Sequence, residues 1–252
     1  MTAMAEPTDL AIQLYTVRRS LADDVDGTLG ELARIGFRQV EAFDLRTFGA
    51  ALAEALPRHG LTAPSTHADL LADRDGAFEG AAQIGASLVV QPWTDPGRWQ
   101  WLDGIRSIAD ALNASARAAA DRGLRIAYHN HHFELASRID GRHALEVFAD
   151  LLDPAVSLEV DAYWALAGGA DVVELVRGLG ERVVALHLKD GDGSLDTSHQ
   201  VAAGDGFVPV RDVVSAAPGA LRIVELDDTA GDLWVAIERS RTFLLAGEAG
   251  VA

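Results

Sequence analysis

Arg182-Val-Val-Ala-Leu-His-Leu-Lys-Asp190 is the stretch whose reading decides the fold. It is a short apolar run, Val183 to Leu186, that ends in polar groups. Read as a strand buried on both faces, it delivers His187, Lys189 and Asp190 to its C-terminal end. Three other runs end the same way. Leu124-Arg-Ile-Ala-Tyr-His-Asn-His131 finishes in His129 and His131, Val156-Ser-Leu-Glu-Val-Asp161 in Asp161, and Leu221-Arg-Ile-Val-Glu225 in Glu225. Strands that each close on a metal-type ligand point to one shared site.

Working outward, the earlier strands are Leu10 to Tyr15, Arg38 to Phe43, Leu61 to His67 and Ser87 to Gln91. Pro64 weakens the third, because proline removes a ladder donor. Helical spacing predicts helices over 21–35, 48–56, 78–84, 102–122, 143–152, 172–179, 210–216 and 233–245, several of them closed by glycine. The loop 191–208 is the least regular segment. Short, apolar, β-branched strands alternating with helices give an α/β chain. Eight such pairs in 252 residues are the arithmetic of a single (β/α)8 TIM barrel spanning 1–252, with its core at about 10–245. A doubly wound sheet would bring a Gly-rich loop after its first strand, and Gln13-Leu-Tyr-Thr-Val-Arg18 contains no glycine.

The formal charge of −17 argues against nucleic acid and against an anionic membrane surface. No apolar stretch approaches the roughly 18 residues of a membrane span. Met1 to Asp9 lacks the basic and apolar regions of a signal peptide. With no cysteine there is no disulfide or thiolate chemistry. A cytoplasmic location is the expectation, and a homo-oligomer is left open.

In a barrel of this kind chemistry sits at the C-terminal strand ends. Those ends carry Glu41, His67, Gln91, His129, His131, Asp161, His187, Lys189 and Glu225. Charge buried at that density is expensive unless paired or metal-bound. Asp161, His187 and Glu225, with His129 or His131, form a mixed carboxylate and imidazole set that suits a transition ion. Such an ion would polarise a sugar carbonyl and stabilise an enediolate as a proton leaves the next carbon.

Ala11-Ile-Gln-Leu-Tyr-Thr16, Tyr128-His-Asn-His-His-Phe-Glu134, Asp161-Ala-Tyr-Trp-Ala165 with Gly168-Gly169, and His187-Leu-Lys-Asp190 occur in the order seen in the xylose-isomerase-like TIM barrels. The chain resembles that family, the sugar phosphate isomerases/epimerases, from about Leu10 to Leu245. Its members include ketose 3-epimerases, inosose dehydratases and enzymes acting on 3-keto-glycosides. The resemblance implies one divalent metal, manganese first, with cobalt, zinc, iron or magnesium as alternatives. It assigns His129, Asp161, His187 and Glu225 as ligands. The ketose 3-epimerases carry glutamate where this chain has His129, so a two-glutamate proton exchange does not transfer unchanged.

The expected activity is a metal-dependent isomerase or epimerase on a sugar or related polyhydroxylated carbonyl compound. A lyase or dehydratase on an inosose or 3-keto-glycoside is the alternative, and a non-catalytic sugar-binding barrel is weaker. Abasic-site cleavage, known in the same superfamily, would need a basic face. Glu225, His131 and Lys189 are the expected catalytic groups. Glu41, His67, Gln91 and Trp164 are expected to bind substrate. The bland readings are a buried ion pair for Glu41, a Lys189 pair with Asp190 or Glu41, satisfied core hydrogen bonds for His67 and Gln91, and core packing for Trp164 and Trp93. His132 is expected to face outward or to be hydrogen-bonded in the loop, and Arg18 and Arg211 are the only arginines to inspect for phosphate binding.

Overall fold

The structure, a computed structural model, describes residues 10–246. The N-terminal segment read as lacking a signal peptide lies outside them. Eight parallel strands close into a barrel: β1 Leu10–Gln13, β2 Gln39–Ala42, β3 Thr62–His67, β4 Leu88–Gln91, β5 Arg125–His129, β6 Val156–Asp161, β7 Val183–Leu188 and β8 Leu221–Val224. Each pairs with its neighbours in sequence, and β1 pairs with β8. Around them run α1 Arg18–Asp23, α2 Val25–Ile35, α3 Leu45–Arg58, α4 Arg74–Ile84, α5 Leu102–Ala120, α6 Phe133–Ala136, α7 Ala144–Leu151, α8 Ala162–Ala167, α9 Val172–Leu179, α10 Val210–Ala216 and α11 Leu233–Ala246. Among the described residues no helix is long and apolar enough to cross a membrane.

The first expected helix is two. Asp24 breaks it, with extended backbone and a side chain that accepts from Gly27 N, so it caps α2. Gly36 then ends α2 in the left-handed region at φ 109°, as its position predicts. Pro64 does not disrupt β3. The β2–β3 register shifts between Gln39 and Glu41, so the proline falls where the ladder is irregular and its missing N–H goes unneeded. The loop after β7 is less irregular than its glycines imply. Asp190 is fully buried and accepts from the backbone N–H groups of Gly191, Gly204 and Val208. A carboxylate holding three amides fixes the loop from within. Gly206 passes so close that a Cβ there would meet Asp190 Oδ1 at 2.3 Å.

Inside the barrel Ala11, Leu88, Val90, Ala127, Ala185 and Ile223 form an apolar plug. Side chains alternate along a strand, so residues two positions on point into the same interior. That places Gln13, His129, His187 and Glu225 directly above the plug, where they are buried among one another.

Candidate active site

Asp161 ends β6 and caps α8. Its Oδ1 accepts from Trp164 N at 2.9 Å, which leaves Oδ2 turned toward the interior. Asn130 pins this corner, accepting from Asp161 N at 3.0 Å. His187 lies beside Asp161 in the β6–β7 register. Its Nδ1 lies 2.5 Å from Glu225 Oε2 and its Nε2 lies 2.7 Å from Glu41 Oε1. His129 turns Nε2 toward Asp161 Oδ2, 3.8 Å away, and its Nδ1 meets Glu159 Oε2 at 3.0 Å. His129, Asp161, His187 and Glu225, all buried, each offer one ligand atom, and these atoms lie within 4.8 Å of one another. These four residues could together hold one divalent ion. Asp161 Oδ2 is buried without a well-directed hydrogen bond. That oxygen meets the Lys189 ammonium at 2.9 Å on one side and faces two imidazoles and a second carboxylate on the other, a donor set whose chemistry fits a divalent cation.

Lys189 is fully buried and touches three carboxylates: Asp227 at 2.8 Å, and Asp161 and Glu225 at 2.9 Å each. Neither expected partner, Asp190 or Glu41, is among them. Burial opposes its charge, but Asp161, Asp227 and Glu225 hold its pKa well above the ordinary lysine value. Glu225 is also buried, yet Lys189 and His187 hold it well below the usual carboxylate range. Asp161 is pushed up to about 6 by burial, which the Lys189 charge only partly offsets.

His131 lies past the end of β5 and lines the cavity above the cluster. Its ring stacks on Phe133 at 5.5 Å, and its Nδ1 is buried without a partner. Burial and the Lys189 charge press its pKa down to about 3, so it is a neutral imidazole. Alternation could not separate His129 from His131. The end of the strand does, because only His129 is carried inward by the ladder.

Glu134 holds the His131 loop. Its Oε2 accepts from His131 N at 2.9 Å, and Tyr128 Oη lies 2.7 Å from its Oε1. Tyr128 continues to Thr94 at 3.0 Å, and Trp99 Nε1 donates to that threonine at 2.8 Å. Burial raises the Glu134 pKa to about 8. The unfolded chain releases this proton near 4.5 and the folded chain keeps it to about 8, so the acid costs stability as pH rises between those values. Glutamine mimics the neutral acid. Glu134→Gln is expected to gain melting temperature relative to wild type as pH rises from 5 to 8. Melts across that range check it, and a pH-independent difference counts against it.

The cluster opens into a cavity of about 780 Å³ lined by Tyr15, Phe43, Asp69, Trp93, His131 and Lys189, among others. His67 reaches it, with Nε2 2.7 Å from Glu159 Oε2 and 3.2 Å from Glu41 Oε1. Burial opposes its charge, but the two carboxylates raise its pKa to about 9. Glu41 is fully buried and also accepts from Gln13 Nε2 at 2.9 Å. Gln91 sits at the expected strand end but not on the interior face, because Val90 takes that face in β4. Its amide is consumed by Leu71 N, Asp69 and the Trp93 carbonyl. Trp164 is buried beside His131 and under Lys189, whose Nζ lies 5.4 Å from its ring centre. Trp93 is half exposed at the cavity wall. Arg18 lies over Tyr15 and Arg211 over Phe243. Glu159 is the residue the sequence reading missed, together with the pairing of Asp227 to Lys189. Glu159 was findable, since it precedes Asp161 by two positions and shares its strand face.

The xylose isomerase-like TIM barrel model matches residues 29–225, well over half of the sequence. The chain belongs to this family. Over 142 residues it is 27% identical to the inosose dehydratase of Geobacillus kaustophilus, a match covering 52% of this chain and 44% of that enzyme. The aligned part is thus less than half of that relative's length. A sugar phosphate isomerase/epimerase from Parabacteroides distasonis superposes with a TM-score of 0.77 at 22% identity, covering 98% of this chain and 96% of that one. A zinc-bound IolI protein superposes at 0.73 and 16% identity, covering 95% and 97%. These likenesses confirm the expected family and barrel.

Proposed function

We propose that this family member is a divalent-metal-dependent enzyme that removes a proton from the carbon beside the carbonyl of a polyhydroxylated substrate. The carrying observation is the convergence of His129, Asp161, His187 and Glu225 within 4.8 Å at the base of the cavity. Two imidazoles and two carboxylates suit manganese, cobalt, zinc or iron, and the zinc-bound structural neighbour supports a divalent ion. Bound there, the ion would supply Lewis acidity, polarising the carbonyl and stabilising the charge that develops on it.

His131 is the base. Its neutral imidazole faces the cavity, while the Glu225 carboxylate is engaged by Lys189 and His187. Lys189 supplies a fixed positive charge at the same spot. Tyr15, Phe43 and Trp93 give the substrate apolar faces, and Asp44 and Asp69 offer acceptors for hydroxyls. Arg46, at the cavity wall, is paired with Asp73 at 3.0 Å, which supports a neutral sugar over a phosphorylated one.

Return of the proton to a new position gives isomerisation or epimerisation. Loss of a β-oxygen gives elimination. One arrangement favours elimination: a single neutral base faces the cavity, and His129 stands where a second carboxylate base would be needed. The partial match to inosose dehydratase supports the same direction.

The test is exchange in deuterated water, with ketoses, inososes and 3-keto-glycosides offered to metal-loaded protein. Deuterium in recovered or epimerised substrate supports enolisation with proton return. An unsaturated product with released water or alcohol supports the lyase. Tight binding with no exchange across the panel would make the protein a sugar-binding barrel and overturn the proposal.

A further inference from the structure

Beside the four converging side chains lies a second group made of the buried Glu41 and Glu159 with His67. Glu159 Oε2 meets His129 Nδ1 at 3.0 Å, and Glu41 Oε1 meets His187 Nε2 at 2.7 Å. On each ring the other nitrogen faces the site. His129 Nε2 looks toward Asp161 Oδ2 at 3.8 Å, and His187 Nδ1 toward Glu225 Oε2 at 2.5 Å. A ring nitrogen that donates to a carboxylate leaves the opposite nitrogen with its lone pair, and the carboxylate also raises its basicity.

We infer that Glu159 and Glu41 are positioning residues that fix the tautomers of His129 and His187, so that both rings present a lone pair to the space between Asp161 and Glu225 once an ion takes the place of the proton that His187 Nδ1 shares with Glu225 Oε2. The inference rests on the metal-dependent reading above and extends it to residues that touch neither metal nor substrate. The arrangement is built into the sheet. His129 and Glu159 are register partners across β5 and β6, and Gln13, which donates to Glu41, is its register partner across β1 and β2. His67 spans the two glutamates from above and stacks on His187 at 5.3 Å, which keeps both carboxylates compensated in an enclosed space.

His67, His129, Glu159 and His187 also lie close enough together to hold an ion of their own. Filling both positions would require His129 and His187 to bridge two ions through both nitrogens, with every ring proton lost. The two carboxylates, each hydrogen-bonded to a ring, favour one ion with a supporting layer.

Cobalt(II) titration of the apo protein tests this, with dissociation constants from chelator competition and the visible spectrum recorded at saturation. Wild type is expected to bind one equivalent. Glu159→Gln and Glu41→Gln are each expected to weaken binding about 10- to 100-fold and to change the cobalt absorption envelope, since the ring it reports on is freed. A purely structural role would lower the apo melting temperature and leave both readouts unmoved in the folded fraction. Glu41→Gln carries the test if Glu159→Gln does not fold. One equivalent in wild type, with unchanged affinity and spectrum in both variants, overturns the inference and leaves the metal reading intact. Two equivalents, the second lost in Glu159→Gln, make Glu159 a ligand and also overturn it. No binding in wild type removes the metal reading, and this inference with it.

Discussion

Wild-type protein is expected to bind one equivalent of divalent metal and Asp161→Ala/His187→Ala none, with a loss of at least about a thousandfold in kcat/KM, the rate equivalent of several kcal/mol of Lewis-acid stabilisation. The two residues are register partners on adjacent strands, so the double change empties one side of the ligand set. Both are fully buried, yet the fold should survive. Asp161 is destabilised as an anion, and its loss mainly removes the α8 cap, about 0.5–2 kcal/mol. Removing His187 relieves Glu41 and Glu225 of a shared partner but leaves them His67 and Lys189 respectively. Elemental analysis of both proteins, with circular dichroism to confirm folding, gives the answer. Metal retained in the folded double variant would mean that the ion sits elsewhere.

His131→Gln is expected to lower kcat by about 10²-fold, the low end of a positioned base's contribution because burial and the Lys189 charge make this imidazole weakly basic, while metal content and KM stay near wild type. The glutamine preserves polarity and approximate size but cannot accept and release a proton at neutral pH. The neighbouring His132→Gln serves as control. His132 packs against Phe133 and Trp164 and is absent from the cavity lining, so its replacement should leave kcat unchanged. Because the His131 pKa is held near 3, no acid limb from its protonation is expected in a kcat profile between pH 5 and 8. Equal losses in the two variants would assign the effect to the loop and move the base to Glu225.

The two stretches that end in His129-Asn-His131 and Asp161 show how far a linear reading reaches. Both announce strands that stop at ligand-type residues, and both strands are there. The reading fails at Gln91 for a definite reason. Its position at a strand end is correct, but facing depends on which residue of β4 enters the interior, and a short, wholly buried strand has no polar alternation to show it. Glu159 was legible by its two-residue spacing from Asp161 on the same strand, although it sits inside an otherwise apolar run. The partner of Lys189 was misjudged because Asp227 lies past the end of β8, and its Oδ2 is further held by the Gln200 side chain from the distant loop after β7.

The sequence by itself determined the alternation of short apolar strands and helices, hence the barrel, and the polar residues delivered to one rim. Local pattern suffices there, because burial on both faces and helix periodicity are written residue by residue. The family match fits that level of description. Only the tertiary structure decided which of those polar groups meet. Closing the sheet sets the register between strands far apart in sequence, and that register puts His187 between Glu41 and Glu225 and turns His129 onto Glu159. Ring orientation, charge compensation and the split between ligand and supporting residue are properties of that closure.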